Sequence, residues 1–284
     1  MLLDVLIDAV LDCLKDLPFL FFAFLLLEAL EHHTSEWMNR SLVKAGNFGP
    51  LVGAFLGCVP QCGFSIMASD FYAGGVITAA TLLSVFLSTS DEAVIILMSN
   101  PAYIGDVGRL IATKVVISLI AGYIILAAEK AWKRRHPGNH KEIEDLCRNC
   151  GCEHEEGGIL KPALHHTAEV LLFLFIFTFA LNLLLELIGM QNLSRILLAD
   201  SIFQPFLAAL IGLIPNCAAS VILTQLYIDG VISFGSAVAG LCSAAGLGLV
   251  VLFRINRHKK ENFMITGLLL FVAVCAGIIL QLIM

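Results

Sequence analysis

Apolar residues run along this chain in long blocks separated by short polar stretches. The blocks lie at about Leu17–Leu30, Leu51–Ala68, Val76–Leu97, Val107–Ala128, Ala168–Ile188, Ile202–Leu226, Val231–Phe253 and Phe263–Ile283. A helix needs about 20 apolar residues to cross a bilayer. Strands of a membrane barrel would alternate with a period of two, and these blocks do not. Helices remain, because a helix satisfies its own backbone groups in lipid. The pattern predicts an all-α polytopic membrane protein. The opening segment differs: Asp4, Asp8, Asp12 and Asp16 recur at helical spacing and form one stripe. Without a basic leading region it is no cleavable signal peptide. It reads as an amphipathic helix over 1–16, either lying at the interface or forming a cation-attracting vestibule.

The blocks repeat. Shifted by 155 residues, PLVGAFLGCVPQCGFSIMASDFYAGGVIT from Pro50 lies over PFLAALIGLIPNCAASVILTQLYIDGVIS from Pro205 without a gap. Identical pairs include Pro50/Pro205, Gly57/Gly212, Pro60/Pro215, Cys62/Cys217, Ser65/Ser220, Tyr72/Tyr227, Gly75/Gly230 and Val76/Val231. The register reaches back to Glu31/Glu186. Apolar composition alone would match Leu with Leu, not Pro, Cys, Tyr and Gly in one register.

Charge then orients the halves. Basic loops mark the cytoplasmic side, and EKAWKRRH (Glu129–His136) and RINRHKK (Arg254–Lys260) are basic. Ser99–Gly108, equivalent to the second of these under the shift, has no Lys or Arg before Arg109 and is expected outside. Equivalent loops on opposite sides predict an inverted repeat, a common build of secondary transporters. Inversion needs an odd number of crossings per half. Pro and Gly in Pro60-Gln61-Cys62-Gly63 break a helix there, and a re-entrant hairpin at that point supplies the parity. The expected fold is two inverted repeats of about five hydrophobic segments each, with re-entrant hairpins or broken helices at the midplane. Its parts are the helix 1–16, a first membrane repeat over 17–131, a cytoplasmic Cys/His-containing linker over 132–166 and a second membrane repeat over 167–284, in the inner cell membrane.

Composition narrows the function. Hydrophobic residues make up 58% and charged residues 14%, against about 45–50% and about 25% in soluble domains. That excludes a soluble enzyme and a disordered chain. The net charge of −6 disfavours nucleic acid as a partner. With charge this scarce, polar residues at membrane depth become candidate chemistry. The tips around Pro60 and Pro215 each offer an amide (Gln61, Asn216), a thiol (Cys62, Cys217) and, one turn on, a hydroxyl (Ser65, Ser220). Amide oxygens and thiolates are cation ligands, thiolates for soft or borderline metals; small residues there would otherwise serve close helix packing. A second break, Ser88-Thr89-Ser90-Asp91-Glu92, places two carboxylates inside an apolar run. Intramembrane acids are costly and mark ion or proton pathways, although these two could also cap a helix. Ser90, Asp91 and Glu92 therefore join the substrate-binding set. Asp91, Glu92, Lys114, Glu31 and Glu186 form the ion-coupling set. Lys114 could pair with Asp91 or Glu92 or reach to the surface, and Glu31 and Glu186 could be gates, proton carriers or interfacial acids. Asp70 is similar and faces Gln225 across the repeat. Cys13, Cys58, Cys242 and Cys275 read as ordinary small apolar residues.

The linker holds Cys147, Cys150, Cys152 and His154 in a CxxCxCxH pattern, with His136 and His140 upstream. Three thiols and an imidazole match the ligand set of a zinc-like site, and cytoplasmic thiols stay reduced and free for metal. The loop could bind a metal ion to deliver, sense or buffer it, or be a linker with a chance cluster. No other cofactor is required.

PQCGFS, YAGGVIT and FLSTSDE in the first half, with GLIPNCAAS and DGVISFGS in the second, resemble the ten-transmembrane heavy-metal exporters. That group is catalogued as arsenic efflux permease-like proteins and, in part, as manganese transporters. The resemblance covers nearly the whole chain and implies an efflux permease for a metal or metalloid. At the level of architecture the hairpins are also similar to ion-coupled transporters of the arsenite-antiporter kind.

The leading expectation is a secondary active transporter, not an enzyme, exporting a heavy-metal cation or metalloid by alternating access. The chain holds no Walker-type GxxxxGK[ST]. The thiols suit arsenite-like species or soft metals; the acids, amides and hydroxyls suit manganese. Its partners are that ion and the lipid bilayer, with self-association into a homo-oligomer left open. Two alternatives are a membrane metal sensor or subunit of a larger transport complex, and a membrane-embedded thiol- or metal-dependent enzyme. The enzyme would want a His beside the thiols or acids, and the central spans hold none.

Overall fold

The structure, a computed structural model, describes residues 46–59, 63–89, 91–135, 160–188, 203–256 and 258–283, with positions 10, 11, 14, 17, 18, 21, 22 and 25. The N-terminal acidic stripe and most of the linker lie outside the described residues. Every regular element among the described residues is helical. The first half contributes α1 (Gly49–Gly57), α2 (Gly63–Ala73), α3 (Ala79–Ser88), α4 (Asp91–Ser99) and α5 (Ile104–Arg135). A long α6 (Leu160–Ile188) precedes the second half, which adds α7 (Gln204–Gly212), α8 (Cys217–Ile228), α9 (Phe234–Ser243), α10 (Leu247–Ile255) and α11 (Lys259–Ile283). The long helices overrun the expected linker: α5 runs on through the basic stretch to Arg135, and α6 starts before His165. Lys and Arg are good helix formers and suit a helix C-terminus, which carries negative partial charge.

The bounds of α1, α3 and the start of α5 recur at a shift of 155 in α7, α9 and α11. Local signals explain the recurrence. Pro50 and Pro205 stand at the first turns of α1 and α7, where a missing N–H costs nothing. Helix α2 closes on Gly75 at φ 74° and α8 on Gly230 at φ 71°. In both, the glycine N–H donates to a tyrosine carbonyl (Tyr72, 3.1 Å; Tyr227, 3.0 Å). The following valine donates to the carbonyl one residue earlier (Phe71, 2.8 Å; Leu226, 2.9 Å). These are paired Schellman caps, and left-handed φ is what glycine supplies there. Thr78 and Ser233 then cap α3 and α9, accepting from Thr81 N and Ser236 N.

Helices α3 and α9 sit innermost, with every residue of Ala80–Ser88 and Phe234–Ser243 buried. Each packs on its own α1 or α7 and its own α5 or α11. The long helices present large apolar residues outward: Val116, Ile120 and Ile124 on α5, and Phe263, Phe271, Ile279 and Leu282 on α11 are all more than half exposed. The inward face of α5 is small and polar instead, with Lys114, Ser118 and Ala121 buried. Small residues inside and large apolar residues outside are how helices pack in lipid. Among the described residues, four stretches are long and apolar enough to cross a membrane: Ala79–Ser99, Pro101–Trp132, Phe234–Ile255 and Lys259–Ile283.

The halves exchange partners. Helix α2 of the first half packs on α10 of the second, and α8 of the second packs on α4 of the first. A Ser69 hydroxyl donates to the Gly248 carbonyl at 2.7 Å across the first of these contacts.

Close approach at α1–α3 and α7–α9 gives a test of the packing. A Cβ on Gly57 would sit 2.5 Å from the Val85 carbonyl oxygen and inside contact distance of Ser88 Oγ. On Gly212 it would overlap the Gly240 carbonyl and Ser243 Oγ, the same two positions under the shift. Gly57→Ala and Gly212→Ala should each destabilise the protein by roughly 1–3 kcal/mol through overpacking. Gly108→Ala, with nothing within 4 Å, should be neutral or slightly stabilising. Thermal unfolding in detergent checks all three.

Candidate functional site

The helices break where Pro, Gly and polar residues interrupt the apolar runs. Between α1 and α2 the chain leaves helix after Gly57, and between α7 and α8 after Gly212. The second pair of breaks falls between α3 and α4 and between α9 and α10. The interruption read at Ser88–Glu92 is thus present, and so is its counterpart at Ala244–Gly246. A break in lipid strands the last carbonyls of the helix before it. Thr89, at the end of α3, and Leu241, in the last turn of α9, have such carbonyls.

Lys114 answers both. It projects inward from α5, is fully buried, and its Nζ donates to the Thr89 carbonyl and, at 2.7 Å, to the Leu241 carbonyl. One ammonium thereby ties a break of the first half to a helix end of the second, with the positive charge at two helix C-termini where the macrodipole favours it. Of the two alternatives read for Lys114, pairing with Asp91 or Glu92 or reaching the surface, the second does not match its full burial, and the carbonyls supply at depth what water would supply outside. Two thiols, Cys58 after α1 and Cys242 in α9, lie within electrostatic reach of this ammonium. Cys58 Sγ donates to the Ala54 carbonyl at 3.1 Å, and Cys242 is fully buried.

Of the other expected residues, Ser65 and Ser220 are buried on α2 and α8. Asn216 is buried and caps α8, its Oδ1 accepting from Ala218 N at 2.9 Å. That is a structural use of the amide oxygen, although a carbonyl oxygen has a second lone pair. Gln61, Cys62, Ser90, Glu31 and the loop residues Cys147, Cys150, Cys152 and His154 lie outside the described residues. So do the side chains of Asp91, Glu92, Glu186 and Cys217, although the backbone of α4 begins at Asp91 and that of α8 at Cys217. Among the described residues no three His, Cys, Asp or Glu side chains gather as a metal site.

Two contacts escaped the reading of the residues. Tyr72 Oη donates to Glu261 Oε2 at 3.0 Å, and Tyr227 Oη donates to Asp106 Oδ2 at 2.9 Å. The tyrosines are a repeat pair, and the acids are also 155 apart, each in the first turn of its long helix. Each bond crosses from one half to the other. Carrying the repeat register on to the acids would have paired them, since Asp and Glu are unlike letters with like chemistry.

Lys114→Met keeps the length of the side chain and removes the donor. Two buried carbonyls then lose a charged partner, so the variant should unfold more easily by roughly 2–4 kcal/mol. Unfolding of the purified protein in detergent measures this, with Val116→Met on the outward face of the same helix as the neutral comparison.

The family described as "Putative, 10TM heavy-metal exporter" matches residues 2–176 and again residues 168–284. No curated protein and no solved structure matches the chain. Two successive matches span both halves, and the apolar helices fit the polytopic membrane architecture that the family description implies. The chain belongs to the 10TM heavy-metal exporter family.

Proposed function

We propose that this protein is a secondary transporter that exports a heavy-metal cation or a trivalent metalloid by alternating access about its helix breaks. The observation that carries the reading is the pair of crossed bonds, Tyr72–Glu261 and Tyr227–Asp106. Asp106 lies in the loop free of basic residues, and Glu261 follows the basic one. If the halves are inverted, as the loop charges argue, one bond closes the outer side and the other the cytoplasmic side. Opening either face then means breaking one bond while keeping the other, which is the logic of a two-gate carrier. The helix breaks would line the path of the substrate. Cys62, Cys217, Gln61 and Asn216 would touch it, and Asp91 and Glu92 would neutralise it or exchange it for protons. The linker thiols Cys147, Cys150 and Cys152 with His154 would hold metal on the cytoplasmic side.

Everted membrane vesicles offered manganese, zinc, cobalt, cadmium, arsenite and methylarsenite test the activity. Accumulation of at least one is expected, and accumulation of none overturns the exporter reading. Loss with Cys62→Ser or Cys217→Ser selects a soft or metalloid substrate; loss with Asp91→Asn alone selects a hard cation such as manganese.

The gates have their own test. A hydrogen bond to a charged group is worth roughly 1.5–3 kcal/mol, enough to shift a two-state population about tenfold or more. Tyr72→Phe should speed labelling of Cys62 by an impermeant thiol reagent from the cytoplasmic side, and Tyr227→Phe from the outer side. Acceleration from the same side by both variants would contradict the two-gate arrangement.

A further inference from the structure

Asp70 lies on α2, the helix that packs against the opposite half through α10, and it is fully buried. Among the described residues, neither of its carboxyl oxygens has a hydrogen-bond partner. The neighbouring hydroxyl is committed elsewhere: Ser69 Oγ donates to the Gly248 carbonyl at 2.7 Å and to the Ser65 carbonyl at 2.9 Å. One turn before Asp70, Ile66 packs in an apolar cluster with Val170, Leu174, Leu247, Val250 and Val251. The repeat does not explain the acid. Its counterpart Gln225 is exposed and bonds to Asp229 Oδ1 at 3.0 Å.

An ionised carboxylate in such surroundings has neither water nor a donor, a cost that a native structure avoids by adding a cation or a proton. A metal ion needs several oxygen, nitrogen or sulfur ligands, and among the described residues no group of three ionisable ligands stands here. A proton needs one oxygen. The charged groups on the elements around α2 are few. Helices α1 and α3 carry no ionisable residue, and α10 carries only Arg254. That guanidinium bonds to Glu169 of α6 at 3.0 Å, on the exposed side. The α6 residue His165 is also exposed. On α2 itself the remaining ionisable side chain among the described residues, Tyr72, is engaged with Glu261.

We propose that Asp70 is the proton-carrying group of the transport cycle. Its carboxyl takes a proton from the outer aqueous side and is carried neutral through the membrane interior. It returns the proton to the cytoplasm as the α2–α10 contact between the halves rearranges. The step balances as one proton bound to one carboxylate oxygen and the same proton released. This rests on the exporter reading, which supplies the movement.

The test uses the full-length protein in liposomes. Infrared spectra at neutral pH should show the C=O stretch of a protonated carboxyl in the wild type. The band should vanish in Asp70→Asn and persist at a shifted frequency in Asp70→Glu. With manganese or arsenite as the probe, whichever the vesicle panel moves, an inward proton gradient should accelerate efflux in the wild type. Asp70→Asn should lose that acceleration while still exchanging labelled for unlabelled probe across the membrane, and Asp70→Glu should recover part of it. An unchanged band in Asp70→Asn overturns the inference whether or not any ion is transported. So does an Asp70→Asn protein that still responds to the gradient. If the band belongs to Asp70 but no ion moves, the exporter reading fails and the carrier role falls with it.

Discussion

Inside a bilayer every interruption of a helix must find partners for the backbone it strands. This protein interrupts its two innermost helical runs near their middles and spends one side chain on both. Lys114 reaches the Thr89 carbonyl at the end of α3 and the Leu241 carbonyl in the last turn of α9. The arrangement explains why a full positive charge is tolerated at zero exposure. It sits where two helix dipoles present their negative ends, and it is bonded rather than merely enclosed. It also fixes the spacing of the two halves at the level of their breaks, so the thiols Cys58 and Cys242 come within its field.

Around that centre the halves are interlocked rather than stacked side by side. The segment after the first break of each half packs on the segment after the second break of the other. The tyrosine ending each such segment bonds to an acid that begins a long helix of the other half. Within each half, close-packed glycines keep the contacts short: Gly57 against Val85 and Ser88, Gly212 against Gly240 and Ser243. A structure joined by a few bonds at its ends and by tight small-residue seams within can exchange one set of end bonds for another without unfolding its seams.

Much of this was legible in the letters. The repeat register placed Pro50 over Pro205 and Gly75 over Gly230, and the paired first turns and Schellman caps follow directly from those residue types. The breaks were legible because Pro, Gly and clustered hydroxyls interrupt apolar runs. The partners across the halves were not. Lys114 bonds to backbone carbonyls, which carry no letter, so its neighbours could not be read from side-chain chemistry. The acids of the tyrosine pairs differ as letters, Asp106 against Glu261, and dropped out of a count of identities. Asp70 was visible as an acid, but its complete burial goes with the packing of α2 against α10 of the other half, far away in sequence. The side-chain placement of Asp91, Glu92, Cys62 and Cys217 lies outside the described residues, so the chemistry read there stands on residue type and position alone.

The two copies share a scaffold but not their charges: Lys114 has Leu269 for its counterpart, and Asp70 has Gln225. A pair of identical copies related by a two-fold axis in the membrane plane would make two conformations, interchanged by that axis, of equal free energy. Placing Lys114 and Asp70 on one copy would remove that degeneracy. In the transport cycle proposed above, the empty carrier would rest with one face favoured over the other. On that reading, the positions where the copies differ would set the direction, by deciding which shape is occupied at rest.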